Sequence, residues 1–258
     1  MHLSLQMVDY VDNRKLLVVR DVSREVLVEA MRKDFVANAS HELRSPLTVI
    51  SGYVDTLVED PVIDSEIRGV LEEMRRQSAR MQAVVDDLIE LSRLESTTGE
   101  APHVFVDVPG ILTLMRRDVQ ARPDRRCEFR LEIGSDAGLM GSESELHSVF
   151  SNLIGNALKY TAETGEVVAR WWCDADGAHF SVTDTGVGIA AEHLPRLTER
   201  FYRVDPGRAR TSGGSGLGLA IVKHALQRHG GELNITSELG KGSVFTCHFP
   251  ESRVAHRE

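Results

Sequence analysis

Between Val26 and Leu94 the chain carries two apolar seams whose members alternate gaps of four and three, and no other feature limits the possible folds so sharply. The first runs Val36, Ser40, Leu43, Leu47, Ile50, Val54 and Leu57; the second runs Ile67, Leu71, Met74, Ser78, Met81, Val85 and Leu88. That alternation is a heptad repeat, the pattern of helices that bury a narrow stripe against other helices. Pro61, with Asp60 and Asp64 beside it, breaks the pattern and predicts two helices joined by a turn at 59–65. Two helices cannot bury both seams between themselves, so the economical arrangement is a dimeric antiparallel helical hairpin, that is, a four-helix bundle. A monomeric hairpin lying against the rest of the chain is the alternative, and it leaves much of one seam wet.

The flanks differ in texture. Residues 3–10 (LSLQMVDY) and 15–22 (KLLVVRDV) read as two strands joined by VDN. A lone hairpin is marginal in water, so it is expected to end a larger domain or to pack on a partner. After Glu95 the stretch STTGEAPH is small, polar and Gly/Pro-bearing, a linker signal. Beyond it strands are expected at 104–107, 128–133, 166–173, 179–184, 231–237 and 243–249, with helices at 109–121, 142–160 and 217–229. The chain has 258 residues, enough for one large domain or two ordinary ones, and 41% of them are hydrophobic, so a packed core is expected. Its net charge of −9 argues against nucleic acid as a partner. No run of apolar residues is long enough to span a bilayer, and the opening MHLSLQMVDY lacks the pattern of a secretory signal. Cys127, Cys173 and Cys247 are odd in number and form no CxxC, which fits reduced thiols in a cytoplasmic chain.

With Ser40 at heptad position a and Leu43 at d, His41 falls at b, on the solvent side of the bundle. Glu42 follows it, and Ser45 lies one turn later on nearly the same face. Pro46 cannot donate to the carbonyl of Glu42 and is expected to kink the helix there. An imidazole beside a carboxylate and near a hydroxyl is a candidate nucleophile with its base. Taken alone, an ordinary surface histidine explains it as well.

Three further motifs suit a nucleotide. In NLIGNALKYT, Asn152, Asn156 and Lys159 form one helical stripe ending beside Tyr160; an amide oxygen suits a hard cation and a lysine suits a phosphate. A solvated polar face is the bland alternative. The strand HFSVTD ends in DTGVGI, where Asp184 can accept from the exocyclic amine of adenine and Gly186 and Gly188 let the main chain approach a flat ligand. Gly186, Gly188 and Ala191 also fit a loose dinucleotide fingerprint, but no helix leading into an apolar parallel strand is expected after them, so that reading is rejected. Gly213, Gly214, Gly216 and Gly218 open into an apolar-periodic helix whose free N–H groups suit a polyphosphate. No GK precedes a Ser or Thr, so this is not a Walker loop. Residues 190–213 between the motifs read as a lid over the nucleotide, with Phe201 packing it down and Arg203 contacting phosphate, or else as a disordered surface loop.

The segment FVANASHELRSPLTVISGY at 35–53 resembles the phosphoacceptor region of bacterial sensor histidine kinases, above all phosphate-regulon sensor kinases, and the stretch LLVVRDVSREVLVEAMRKDF resembles the end of their sensor domain. NLIGNALKYT, DTGVGI, the ERFYRVD segment, GGSGLGLA and GKGSVF resemble in order their N, first glycine, F, second glycine and last glycine boxes. The resemblance covers about residues 15–250 and implies an α+β chain: a dimeric helical hairpin followed by an α/β sandwich of the gyrase, Hsp90, histidine kinase and MutL type. Its implied domains are a sensor remnant at 1–25, a dimerisation and phosphotransfer domain at 26–95, a swinging linker at 96–102, an ATP-binding domain at 103–250 and a tail at 251–258. It implies that His41 takes a phosphoryl group from Mg-ATP with help from Glu42, and hands it to the receiver domain of a response regulator. Asn156 becomes the Mg²⁺ ligand and Lys159 a phosphate contact, with Asn152, Tyr160, Gly214, Gly216, Leu217 and Gly218 completing the nucleotide site. Ser45 stands where a hydroxyl or amide orients water for dephosphorylating the regulator; the nearest relatives usually carry threonine there. A nucleotide-sensing module without turnover would require a lost catalytic group, and a mechanical ATPase lacks a heptad-flanked His-Glu pair. Membrane attachment, at an inner membrane, is expected only through sequence upstream.

Overall fold

The computed structural model describes residues 3–10, 14–60, 62–97, 99–121, 127–204 and 215–256, with the side chains of residues 9, 10, 14 and 25–41 outside that description. The expected VDN turn and Pro61 therefore lie outside the described residues. The chain divides into two compact units, residues 1–96 and 97–258.

In the first unit, strands β1 (Leu3–Tyr10) and β2 (Arg14–Asp21) pair antiparallel with Leu5 opposite Val19. Their large apolar side chains, among them Leu5, Met7, Leu17 and Val19, are exposed. Helix α1 (Ser23–Glu59) starts three residues earlier than expected and runs unbroken through Pro46; α2 (Ser65–Ser96) returns antiparallel. The turn is built by polar caps. The Asp64 carboxylate accepts from the Glu66 amide, and the Arg68 guanidinium donates to the carbonyls of Val58 and Asp60 where α1 ends. Val54, Val58 and Leu71 bury together beside Ile63.

The seams divide by heptad position. Leu47 and Val54 on α1 and Leu71, Ser78 and Val85 on α2 are buried within the hairpin, Val54 to 3% and Val85 to 4% exposure. The alternate members Leu43, Ile50, Leu57, Ile67, Met74 and Met81 are exposed, the two methionines at 46%. One chain thus closes half of each seam and presents the other half outward.

The second unit holds a five-stranded sheet made of β4 (Glu128–Ile133), β6 (Glu166–Asp174), β7 (Gly177–Asp184), β8 (Glu232–Glu238) and β9 (Gly242–Pro250) in the order β4-β6-β7-β9-β8. The β4–β6 pair is parallel and the other pairs are antiparallel. Helices α3 (Val108–Ala121), α4 (Glu143–Tyr160) and α5 (Gly218–Arg228) supply the other layer of the core. Strand alternation sends Val167, Ala169 and Trp171, then Ala178, Phe180 and Val182, then Phe245, Cys247 and Phe249 into the interior, all buried. Phe150 of α4 meets the Phe180 ring at 4.6 Å, and the buried Trp171 indole donates to the Ala137 carbonyl at 3.0 Å. Burial pushes the Cys247 thiol far up, so it stays protonated in the core.

Three expectations change. Strands β3 (Phe105–Val106), β5 (Gly138–Met140) and β10 (Val254–Ala255) form a second small sheet in the order β10-β5-β3, so residues placed in a tail belong to the domain. A short 3₁₀ helix, Ala191–Arg196, occupies the start of the expected lid. Thr97, Gly99 and Ala101 are held rather than loose: the Arg228 guanidinium donates to the carbonyls of the first two, the Ala101 amide donates to the Arg228 carbonyl, and Ala101 is buried. Among the described residues no helix is long and apolar enough to cross a membrane.

Candidate active site

His41 lies on α1, its side chain outside the described residues. Glu42 and Ser45, three residues apart on that helix, are both exposed. Between them the half-buried Arg44 reaches across the hairpin to Asp86 of α2, with Nη2–Oδ1 at 2.5 Å. That ion pair holds the Glu42–Ser45 turn of α1 to α2.

In the second unit strand phase explains the placement of Asp184. It follows Phe180 and Val182 at intervals of two, so it points to the helix-covered side at the end of β7 and is only 6% exposed. Burial raises its carboxyl above the ordinary range, opposed by the backbone amides of Gly186 and Ser243; the Gly186 N–H lies 2.8 Å from Oδ1. A carboxylate so poor in water favours a ligand N–H strongly. The DTGVGI loop is wedged against its neighbours. Gly188 has φ +66, and a Cβ there would collide with the Glu238 carbonyl; the Gly240 amide donates to Val187 O at 2.8 Å. GKGSVF therefore backs the loop. Ser243 and Ser237, which sequence reasoning missed, join in: their hydroxyls lie 2.9 Å apart, and Ser237 Oγ accepts from the Ile189 amide. The serine in GSVF, next to the last glycine, was the available signal.

Asn152, Asn156 and Lys159 lie half-buried along α4, which ends at the exposed Tyr160. Lys159 Nζ sits 4.9 Å from the Tyr160 ring centroid, and Tyr160 O faces Gly186. The Asn152 amide donates to the Ser148 carbonyl at 2.9 Å and turns its oxygen toward Gly218, where any Cβ would strike it. Asn152 thus seats the first turn of α5. Among the described residues none hydrogen-bonds to the Asn156 amide, which leaves it open to a ligand. Leu217 is fully buried, so only its backbone faces the site, and its N–H donates to Ser215 Oγ.

Residues 205–213 of the expected lid lie outside the described residues; Phe201 does not. Among the described residues its side chain is 58% exposed, and its backbone does the holding there, with N–H donating to Gly216 O at 2.9 Å. Phe201 is the one non-glycine with positive φ among the described residues (φ +62), and Gly216 opposite has φ +75. A left-handed non-glycine residue latched to the turn before α5 stores backbone strain there. Arg203 follows, half-buried, while Gly213 and Gly214 lie outside the described residues. The structure brings Asp184, Gly186, Gly188 and Tyr160 together at the C-terminal end of α4, and Asn152, Gly216, Gly218 and Phe201 together at its middle. The eight residue steps from Asn152 to Tyr160 span about 12 Å of helix.

The profile of the His Kinase A (phospho-acceptor) domain matches residues 31–97, and that of the histidine kinase-, DNA gyrase B- and HSP90-like ATPases matches residues 141–253. The chain is 52% identical to the phosphate regulon sensor protein PhoR of Pseudomonas aeruginosa over 96% of its own length and 57% of that protein's. It is 35% identical to the protein of the same name in Haemophilus influenzae, over 98% of this chain and 59% of that one. It spans somewhat more than half the length of these curated relatives. A crystal structure of full-length ShkA in complex with AMPPNP superposes with a TM-score of 0.69 at 28% identity, covering 87% of this chain and 46% of that chain.

Proposed function

Because the chain belongs to the sensor histidine kinase family, we propose that it transfers the γ-phosphoryl group of Mg-ATP to His41 and passes it to an aspartate of a response-regulator receiver domain. The observation that carries this reading is helix α4: its C-terminal end lies beside a buried carboxylate, and its middle, at Asn152, meets the N-terminal turn of α5. Its intervening stripe of about 12 Å suits a purine nucleotide laid base-first. Asp184 accepts from the adenine amine, the open N–H groups of α5 receive phosphates, and Lys159 offsets their charge. Among the described residues no group of three His, Cys, Asp or Glu side chains could hold a metal. The Asn156 amide oxygen, a hard donor open among the described residues, would be the protein ligand to a Mg²⁺ ion, which would supply charge stabilisation to the polyphosphate.

In the transfer, a ring nitrogen of His41 forms a bond to the γ-phosphorus while the bond to the bridging oxygen breaks and ADP leaves; Glu42 takes or orients the proton on the other ring nitrogen. Incubation with γ-labelled ATP should give protein-bound label that is labile to acid and stable to alkali. Label with the opposite stability rules the assignment out.

The acceptor state is a homodimer. The outward halves of both seams need a partner, and a second copy supplies the same positions. Met74→Glu should raise the dimer dissociation constant by roughly a hundredfold or more, because each interface must then bury carboxylates. Sedimentation equilibrium measures this, and an unchanged dimer would remove the seam from the interface. The exposed apolar ribbon of β1 and β2 is read as the closing hairpin of a sensor module, with membrane attachment upstream and the catalytic units in the cytoplasm. The likeness to PhoR supports a phosphate-responsive role.

The exposed hydroxyl of Ser45, on the same face as Glu42, can also orient water against a phosphorylated regulator. Ser45→Ala should slow dephosphorylation of the regulator about tenfold while autophosphorylation stays within about twofold. Equal dephosphorylation rates would take Ser45 out of the mechanism.

A further inference from the structure

The stretch expected to be a free linker is gripped by two buried arginines. Arg228, the last residue of α5, donates through Nε to both carboxylate oxygens of Glu145 at 3.2 and 3.0 Å, and through Nη1 to the carbonyls of Thr97 and Gly99 at 2.9 and 3.3 Å. The Arg228 and Glu145 side chains are 10% and 8% exposed. Arg228 O also accepts from the Ala101 amide at 2.7 Å. Arg253 completes the grip: Nη1 donates to Ala101 O and Nη2 to the Glu100 carboxylate. His229 locks the floor, its Nδ1 against Ala225 O and its Nε2 accepting from the Ser142 amide.

Such a network is more than packing requires. Two apolar residues would fill the site of the Arg228–Glu145 pair at least as stably. What the pair adds is a planar donor fork aimed at backbone carbonyls of the linker. The helix that carries it begins at Gly218, at the proposed phosphate site, and ends at the linker.

We propose that Arg228, oriented by Glu145 and assisted by Arg253, is a positioning residue that clamps Thr97, Gly99, Glu100 and Ala101 to the ATP-binding unit and so keeps the tether to the phosphoacceptor helices short. Released, five more residues would lengthen that tether by up to about 17 Å. The effective concentration of a tethered site falls steeply with tether length, so release should slow transfer to His41 without weakening ATP binding. The inference rests on the phosphoryl-transfer reading above.

The test uses the full chain. Arg228→Lys keeps a cation for Glu145 but has no fork to reach the carbonyls as well. It should speed hydrogen exchange at the Ala101 amide and lower kcat for autophosphorylation about fivefold, with KM for ATP unchanged. A four-residue Gly-Ser insertion after Ser96, which leaves the clamp intact, should lower kcat similarly and leave Ala101 exchange as in the parent. A purely structural Arg228 would instead shift KM and melting temperature together, and the insertion would do nothing; that pattern overturns the proposal. Unchanged Ala101 exchange in Arg228→Lys, or faster exchange with undiminished kcat, overturns it too. A parent chain that takes up no label overturns the phosphoryl-transfer reading itself, whereas a normally labelling parent beside an indifferent Arg228→Lys variant overturns only the clamp.

Discussion

His41→Gln should take up no label from γ-labelled ATP, a loss of at least a thousandfold or so, while its affinity for the nucleotide stays within about twofold of the parent. Glutamine matches imidazole roughly in size and polarity but offers no nucleophilic ring nitrogen. The separation of effects follows from the division of the chain: His41 belongs to the unit of residues 1–96, and Asp184 and the glycine loops belong to that of 97–258. Filter-bound label after a fixed incubation and titration with a fluorescent ATP analogue read the two arms. Label on the variant at any residue, or a parallel collapse of nucleotide affinity, would falsify the assignment.

Asp184→Asn should weaken ATP about a hundredfold and leave the fold standing. The asparagine oxygen can still accept from the Gly186 amide, but its NH₂ then meets the adenine amine donor to donor. Because burial raises the Asp184 carboxyl, the folded chain holds a proton there over a pH window in which the unfolded chain has lost it. The group therefore adds most stability below that window, and its contribution is lost as pH rises through the raised value. At neutral pH the neutral asparagine should melt no lower than the parent. For the parent itself, ATP affinity should fall as the pH drops through the raised value, since a protonated carboxyl loses an acceptor. Thermal melts with and without ATP at two pH values test both statements. A variant that melts well below the parent, or that binds ATP as the parent does, would sink them.

The helical hairpin was legible because heptad spacing reports directly on burial: Val54 and Val85 lie inside while Ile50 and Met81 lie outward on the same seams. Asp184 was legible for a similar reason, as the last inward position of a strand whose alternation is visible in the letters. The linker was misread because composition is local and its restraint is remote; Arg228 stands 131 residues from Thr97 in sequence. The backbone role of Phe201 was not legible, because an aromatic letter suggests packing and residue type does not announce a left-handed dihedral. Strands of two or three residues, β5 and β10, are too short to show any period.

The division of each seam has a consequence for cells that hold many related chains. Positions such as Leu71 and Val85 answer to their own hairpin, whereas Ile50, Met74 and Met81 answer to whatever lies opposite. The outward set can therefore drift in shape and charge without disturbing the monomer, until paralogues no longer mix. Insulation between parallel signalling lines would then reside in a handful of side chains, exchangeable as a block.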